Sequence, residues 1–265
     1  MLNNIFDSHC HYDDSRFKSD CEDILENAFN TTVIGMIHAS TDLESAEFGV
    51  KMSEKYKNFY TSVGFHPDPC CIIKAESDYI EKLKSLIQND REQNKNKIVA
   101  IGEIGLDYHY ENYDKNRQLE VFEQQIELAN ELSLPVIVHL REAIEDGINI
   151  LKKLKPKGVV HCFSGSAETA KEILALGMYI GFTGVLTFKN AKKAVKALDV
   201  IPMDKLLLET DAPYMAPEPF RGKRCDSTMI SEIAKKVSEL KDLTPQEVLN
   251  TTTRNVCKLF NINLK

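Results

Sequence analysis

Residues 160–165 read VHCFSG: a short apolar run that ends on His161 and turns at once through Phe-Ser-Gly. An imidazole at the end of an apolar run needs a polar partner, because burying it unpaired costs free energy. The same construction recurs along the chain. IFDSHCH (5–11), VGFHP (63–67), VAIGEIGLD (99–107), VIVHL (136–140) and LLLETDAP (206–213) are each an apolar run that ends in His, Glu or Asp. Polar ends repeated strand after strand are what a fold shows when it gathers many strand tips at one place.

Working outward, eight apolar runs read as strands: 4–9, 33–39, 59–65, 98–103, 135–140, 158–163, 178–183 and 205–210. The segments between them carry helical spacing. The clearest is 114–132, where Leu119, Phe122, Ile126 and Ala129 fall on one face. Ser166 is placed to cap a helix over 167–176 that Gly177 stops. Thr244 to Glu247 (TPQE) reads as a capping box with proline at the first helical position, opening a helix to about 260. Strands that are apolar throughout, alternating with helices, point to a parallel sheet covered on its faces. Eight such units predict an α/β fold of the (β/α)₈ TIM-barrel type, a single domain over 1–265. The alternative, a doubly wound open sheet, normally carries a Gly-rich phosphate loop after an early strand, and this chain has none there.

The 265 residues suffice for a sizeable core, and 43% hydrophobic with 28% charged residues is ordinary for a globular protein. No apolar run has the length of a membrane span, and the first residues carry no basic-then-apolar leader. Cytoplasmic location and no membrane partner are therefore expected. Seven cysteines, scattered without a C-x-x-C, read as reduced thiols. The net charge of −7 argues against a non-specific nucleic-acid coat. It does not exclude an enzyme that grips phosphates through metal ions, since several acids can be ligands rather than free surface charge.

In a (β/α)₈ barrel, functional residues gather at the C-terminal ends of the strands. The tips here carry His9, His11, His66, Glu103, His139, His161 and Asp211. His9 and His11 are two apart, which on a strand puts both imidazoles on one face, with Asp7 one step deeper. Paired neutral imidazoles suit Zn²⁺ or a similar borderline cation. Glu103 has two oxygens and can bridge two metals. His139 and His161, on neighbouring strands, can complete a second site, and Asp211, on the last strand, returns beside the first. On this reading His161 ends its run because it is a metal ligand. A lone tip histidine is more often structural; five histidines and two acids at one end of the strands are not readily explained that way.

Other residues weigh less. Glu209 shares the face of Asp211 one step down, as a supporting partner or a buried hydrogen-bonded acid. Asp107 reads as a turn cap more than a metal neighbour. Arg141, Lys189, Arg221, Lys223 and Arg224 fall in loops after strands and can meet phosphates, although solvated surface charge is the ordinary role. Tyr12, Phe65, Tyr108, Phe163 and Tyr214 lie near the tips, where an exposed ring can stack on a base and a buried one belongs to the wall.

DSHCHYD, GFHP, GEIGLDY, VIVHLREA, HCFSGS, LLLETDAPYMAP, FRGKR and TTTRNVCKLF resemble, in order and over nearly the whole chain, the successive signatures of the TatD-type metal-dependent deoxyribonucleases. That family has an amidohydrolase-like barrel. The resemblance implies divalent-metal-dependent hydrolysis of DNA phosphodiester bonds, as a 3′–5′ exonuclease on single-stranded or frayed 3′ ends. It places two divalent ions (Zn, Mg or Mn) on His9, His11, Glu103, His139, His161 and Asp211. It implies that Glu103 and Asp211 are also catalytic, and that His66 contacts the scissile phosphate or assists proton transfer. It adds Arg221, Lys223 and Arg224 as substrate contacts. No obligate protein partner is implied. After RGKR the family usually has Asn, an acidic or small residue, and Pro; here the chain runs Cys225-Asp226-Ser227, a departure that touches no expected ligand.

The chemistry expected is attack by metal-activated water on phosphorus, with His66 stabilising phosphate oxygens and Asp211 taking or orienting the proton. Two other readings stand beside it. A hydrolase of the same barrel can cut an amide or ester of a small molecule, or an aminoacyl-tRNA end, with much the same ligands. A catalytically silent barrel can serve as a scaffold. GFHP and FRGKR favour the phosphate, and the intact set of tip residues favours an enzyme.

Overall fold

The computed structural model describes residues 2–72, 74–93 and 95–264. Eight strands, β1 (Ile5–Cys10), β2 (Val33–His38), β3 (Phe59–Val63), β4 (Ile98–Asp107), β5 (Val136–Arg141), β6 (Gly158–Val160), β7 (Tyr179–Phe182) and β8 (Leu206–Leu208), follow one another in a single sheet in chain order. Helices fill the connections: α1 (Cys21–Thr31), α2 (Leu43–Lys55), α3 (Pro69–Ile72), α4 (Tyr79–Glu92), α5 (Lys115–Leu132), α6 (Ile144–Leu154), α7 (Ala167–Ala175) and α8 (Lys192–Val200), with α9 (Ile230–Lys241) and α10 (Pro245–Leu259) at the end. This is the (β/α)₈ barrel that the alternation predicts, and an open doubly wound sheet is ruled out. Among the described residues no helix is long and apolar enough to cross a membrane. None of the described cysteines is in a disulfide.

Chain contacts divide the molecule into two compact units, one of Met1–His38, Cys162–Ala175 and Tyr179–Lys265, the other of Ala39–His161 and Leu176–Met178. In the first, β1 pairs with β2 and β7 with β8, all parallel. The segment after β8 returns to β1: Asp211 N donates to His9 O at 2.9 Å, and His11 N to Ala212 O at 2.7 Å. β8 is pinned from α10, where Asn255 Nδ2 donates to Met203 O (2.7 Å) and Leu206 O (2.8 Å). The N-terminus of α10 is the expected capping box: Thr244 Oγ1 accepts from Glu247 N and the Glu247 carboxylate accepts from Thr244 N, with Pro245 in the first turn.

In the second unit β3, β4, β5 and β6 pair in parallel sequence. All ten residues of β4 are buried, the acids Glu103 and Asp107 among them. Gly105, at φ 147°, lies so close to β5 that a Cβ would stand 1.9 Å from His139 O, so only glycine fits. Helix α5 begins at Asp114, whose carboxylate accepts from Arg117 N. Its buried face differs from the expected one. Phe122, Ile126 and Ala129 are inside, Leu119 is half-buried, and Gln118 and Gln125 are fully buried.

Four strand ends differ from expectation by two residues or more: β3 stops at Val63 rather than 65, and the ends of β4, β6 and β8 are displaced as well. β6 and β8 have three residues each, so His161 and Asp211 stand just beyond strands. Cys162 and Asp211, past the ends of β6 and β8, take left-handed backbone, φ 42° and 57°. β4 instead continues past Glu103 to Asp107. Ser166 Oγ accepts from Thr169 N and caps α7 as read, and Gly177, at φ 80°, follows its end.

Candidate metal centre

In the first unit, His9 and His11 converge. Their Nε2 atoms are 3.0 Å apart, and Asp211 Oδ1 lies 3.2 Å from His11 Nε2 and 3.6 Å from His9 Nε2. Strict strand alternation does not produce this aim. Between Asp7↔Met36 and Cys10↔His38 β1 advances three residues against two on β2, and such a bulge re-aims side chains. Cys10, between the two histidines, turns away and donates to Ile37 O.

Asp7 holds this arrangement from beneath. Its carboxylate accepts from Thr210 N (3.0 Å), Thr210 Oγ1 (2.6 Å), Ser227 Oγ (2.7 Å) and His9 N (3.3 Å). Burial pushes its pKa up to about 7 against these hydrogen bonds. Asp7 thus ties the strand that carries His9 to the residue preceding Asp211. Ser227 lies in the segment that departs from the family pattern, and it is one of the partners in this clamp; Tyr12 Oη accepts from its N–H. Glu209, also buried, accepts from Cys162 N at 2.5 Å and from Ser8 Oγ at 3.4 Å. It occupies space that only a glycine at 181 leaves, since a Cβ there would lie 2.4 Å from its Oε2.

In the second unit one oxygen is the focus. Glu103 Oε1 lies 2.7 Å from His161 Nε2, 2.9 Å from His139 Nδ1 and 3.4 Å from His66 Nε2. His139 Nδ1 and His161 Nε2 are 3.1 Å apart. Glu103 reaches this position through a second bulge: from Ile101↔Val136 to Ile104↔Val138, β4 advances three residues against two on β5. Its amide leaves the β5 ladder and donates to Ser40 O at 2.7 Å.

The two histidines beside Glu103 are held in opposite senses. Asp107 Oδ2 lies 3.2 Å from His139 Nε2, which fixes the ring proton there and leaves the Nδ1 lone pair toward Glu103 and His161. Burial opposes charge on His139, but Asp107 and Glu103 outweigh it and raise its pKa overall. His66 is the reverse. Its Nδ1 accepts from Asp68 N at 3.0 Å, so the neutral ring carries its proton on Nε2, the atom facing Glu103. His66 therefore presents a donor, whereas His139 presents a lone pair.

Nitrogen and carboxylate donors converging without intervening bulk fit borderline divalent cations. His66, Glu103 and His139 each offer an atom within 4.8 Å of the others, although the tautomer just described makes His66 the poorest ligand of the three. The basic residues of FRGKR each have a partner. Arg224 is committed to Asp20 at 2.6 Å, Arg221 lies 4.2 Å over Phe188, and Lys223 lies 5.7 Å over Phe220. Asp107 caps a turn, as read, by accepting from His109 N (2.9 Å), and orients His139 as well.

The TatD-related DNase family profile matches residues 6–261. The chain belongs to the TatD-related DNase family. It is 38% identical over 263 residues to the uncharacterized metal-dependent hydrolase YabD of Bacillus subtilis, covering 98% of this chain and 100% of that protein. It is 36% identical to the uncharacterized metal-dependent hydrolase YcfH of Escherichia coli K12, covering 98% and 96%. The crystal structure of YJJV, a TatD homologue from Escherichia coli, superposes with TM-score 0.89 at 31% identity, covering 99% of this chain and 100% of that one. The family is thus one of metal-dependent hydrolases built on this barrel.

Sequence reading of this TatD-family chain missed two residues that set the site. Gln125 Oε1 accepts from Phe65 N (2.7 Å) and its Nε2 donates to Phe65 O (3.1 Å). Gln118 Oε1 accepts from Asp107 N (2.8 Å), while its Nε2 donates to Asp107 O (2.8 Å) and Pro67 O (3.0 Å). The two side chains hold the residues on either side of His66 and the backbone of the acid that orients His139. The signal was present: two glutamines seven apart on the apolar stripe of a helix, where a buried amide must have partners.

Proposed function

We propose that this protein is a divalent-metal-dependent phosphodiesterase that cleaves DNA, removing nucleotides from single-stranded or frayed 3′ ends. The whole chain serves as one hydrolase domain. The two clusters are read as two metal sites, each made of imidazole and carboxylate donors. His9, His11 and Asp211 would hold one ion, and Glu103, His139 and His161 the other. The ions, when bound, supply Lewis acidity and lower the pKa of water.

The remaining chemistry belongs to the side chains. Asp211, at the solvent-reached edge of its cluster, takes the proton of the attacking water at Oδ1. His66 donates from Nε2 to a phosphate oxygen as negative charge grows there. Asp107 keeps His139 in the tautomer that can ligate. Asp7 holds Asp211 in register with His9. The observation that carries the phosphate reading is the His66 tautomer, because a proton donor set beside a carboxylate–imidazole cluster matches an oxyanion better than a neutral carbonyl. Family membership supports DNA as the polymer.

A single experiment tests this. A 3′-labelled and a 5′-labelled single-stranded oligonucleotide are incubated with the protein and Mg²⁺, Mn²⁺ or Zn²⁺, beside a panel of small amides and esters. Stepwise shortening from the 3′ end is expected. Hydrolysis of a small amide or ester with both oligonucleotides intact would overturn the proposal.

A further inference from the structure

Among the described residues the exposed large hydrophobic side chains are Tyr110, Tyr214, Met215 and Leu243. Tyr214 and Met215 follow Asp211 by three and four residues. The other aromatic residues expected near the tips of this unit, Tyr12 and Phe163, are buried. Tyr214 is 45% exposed, yet it is not loosely held. Its N–H donates to Asp211 O at 2.8 Å, so the ring rides on the turn that carries a proposed ligand. The ring centroid is 6.5 Å from that of His11, at 76°. Its hydroxyl donates to Asp14 Oδ2 at 3.0 Å.

Arg16 completes the arrangement. Its guanidinium lies 4.0 Å from the Tyr214 ring centroid and grips Asp14 with two bonds, Nε to Oδ1 at 2.9 Å and Nη2 to Oδ2 at 2.8 Å. Asp14 cancels the charge of Arg16, so the pair is a poor grip for phosphate. It presents instead a flat, polarisable surface fixed by its own hydrogen bonds, and an immobilised ring loses little entropy when a planar group settles on it. Exposing such a ring to water is unfavourable unless something covers it.

We propose that Tyr214, with Arg16 stacked on it, is the subsite on which a nucleobase of the single-stranded substrate stacks, adjoining His11 and Asp211. This rests on the phosphodiesterase reading above. Base–aromatic stacking tolerates every base, so the subsite contributes affinity without sequence preference.

The test measures kcat and KM for a single-stranded oligonucleotide and for the same oligonucleotide with its two 3′-terminal nucleotides abasic. Tyr214→Ala is expected to raise KM on the normal substrate about tenfold or more, the loss falling on KM rather than kcat. On the abasic substrate, wild type and Tyr214→Ala should have the same KM. Tyr214→Phe, which keeps the ring, should recover most of the affinity, and circular dichroism checks that both variants fold. An equal rise on both substrates, or on neither, overturns the stacking subsite while leaving the phosphodiesterase reading intact. Failure of the wild type to cleave either substrate removes that reading, and the subsite with it.

Discussion

His66 and His139 lie with ring centroids 4.6 Å apart, yet each is held by a different partner on its outer nitrogen, and this decides what it can do. His66→Ala should keep wild-type metal content and lose turnover by about 10²–10⁴-fold, the range for a positioned acid or base. His139→Ala should lose metal. Elemental analysis of the two variants separates these outcomes; equal metal loss in both would make His66 a ligand. Asp107→Asn removes the carboxylate that fixes the His139 tautomer, and about 10–100-fold weaker metal binding is expected by competition with a chelating dye. That histidines stood at the tips was legible in the sequence, because each closes an apolar run. Which ring nitrogen carries the proton was not: it depends on the Asp68 amide, set by the turn that follows His66, and on the Asp107 carboxylate, which the fold brings to His139.

β4 and α5 show where periodicity succeeds and where it misleads. The apolar run 98–103 was readable as a strand, but its continuation to Asp107 and its bulge at Gly102-Glu103 were not, and the bulge is what aims Glu103. On α5 the stripe was found with its polar members overlooked, because a count of apolar residues passes over a glutamine with four hydrogen-bonding groups to satisfy. Gln125→Leu leaves the N–H and C=O of Phe65 without their partner, while its volume is roughly kept. Destabilisation by about 1–3 kcal/mol in urea unfolding is expected, with kcat lowered through displacement of His66 and metal content unchanged. A fully stable variant with wild-type kcat would show that α5 does not position the loop. The short β6 was over-read for a related reason: nothing in the residue Cys162 announces a left-handed backbone.

The barrel itself was legible because every level agrees: eight apolar runs, helical spacing between them, and caps where helices begin. The core is large enough that the chain should fold without ions. Dialysis against chelator is expected to abolish hydrolysis while leaving a cooperative unfolding transition near its original temperature; cooperative unfolding on chelation at room temperature would show the ions to be structural as well. The net charge of −7, which alone speaks against a partner as anionic as DNA, fits if much of the acid is spent on cations, at Glu103 and Asp211, or on clamps and ion pairs such as Asp7, Asp14 and Asp20. The most direct measurement of the whole account is a titration of chelator-treated protein with Mn²⁺ or Zn²⁺, following bound metal per chain and hydrolysis of a single-stranded oligonucleotide together. No cleavage before addition, and a rate that reaches its plateau as a second equivalent binds, is the expected result. Cleavage that persists without metal, or a metal-loaded protein that leaves DNA intact, would contradict it.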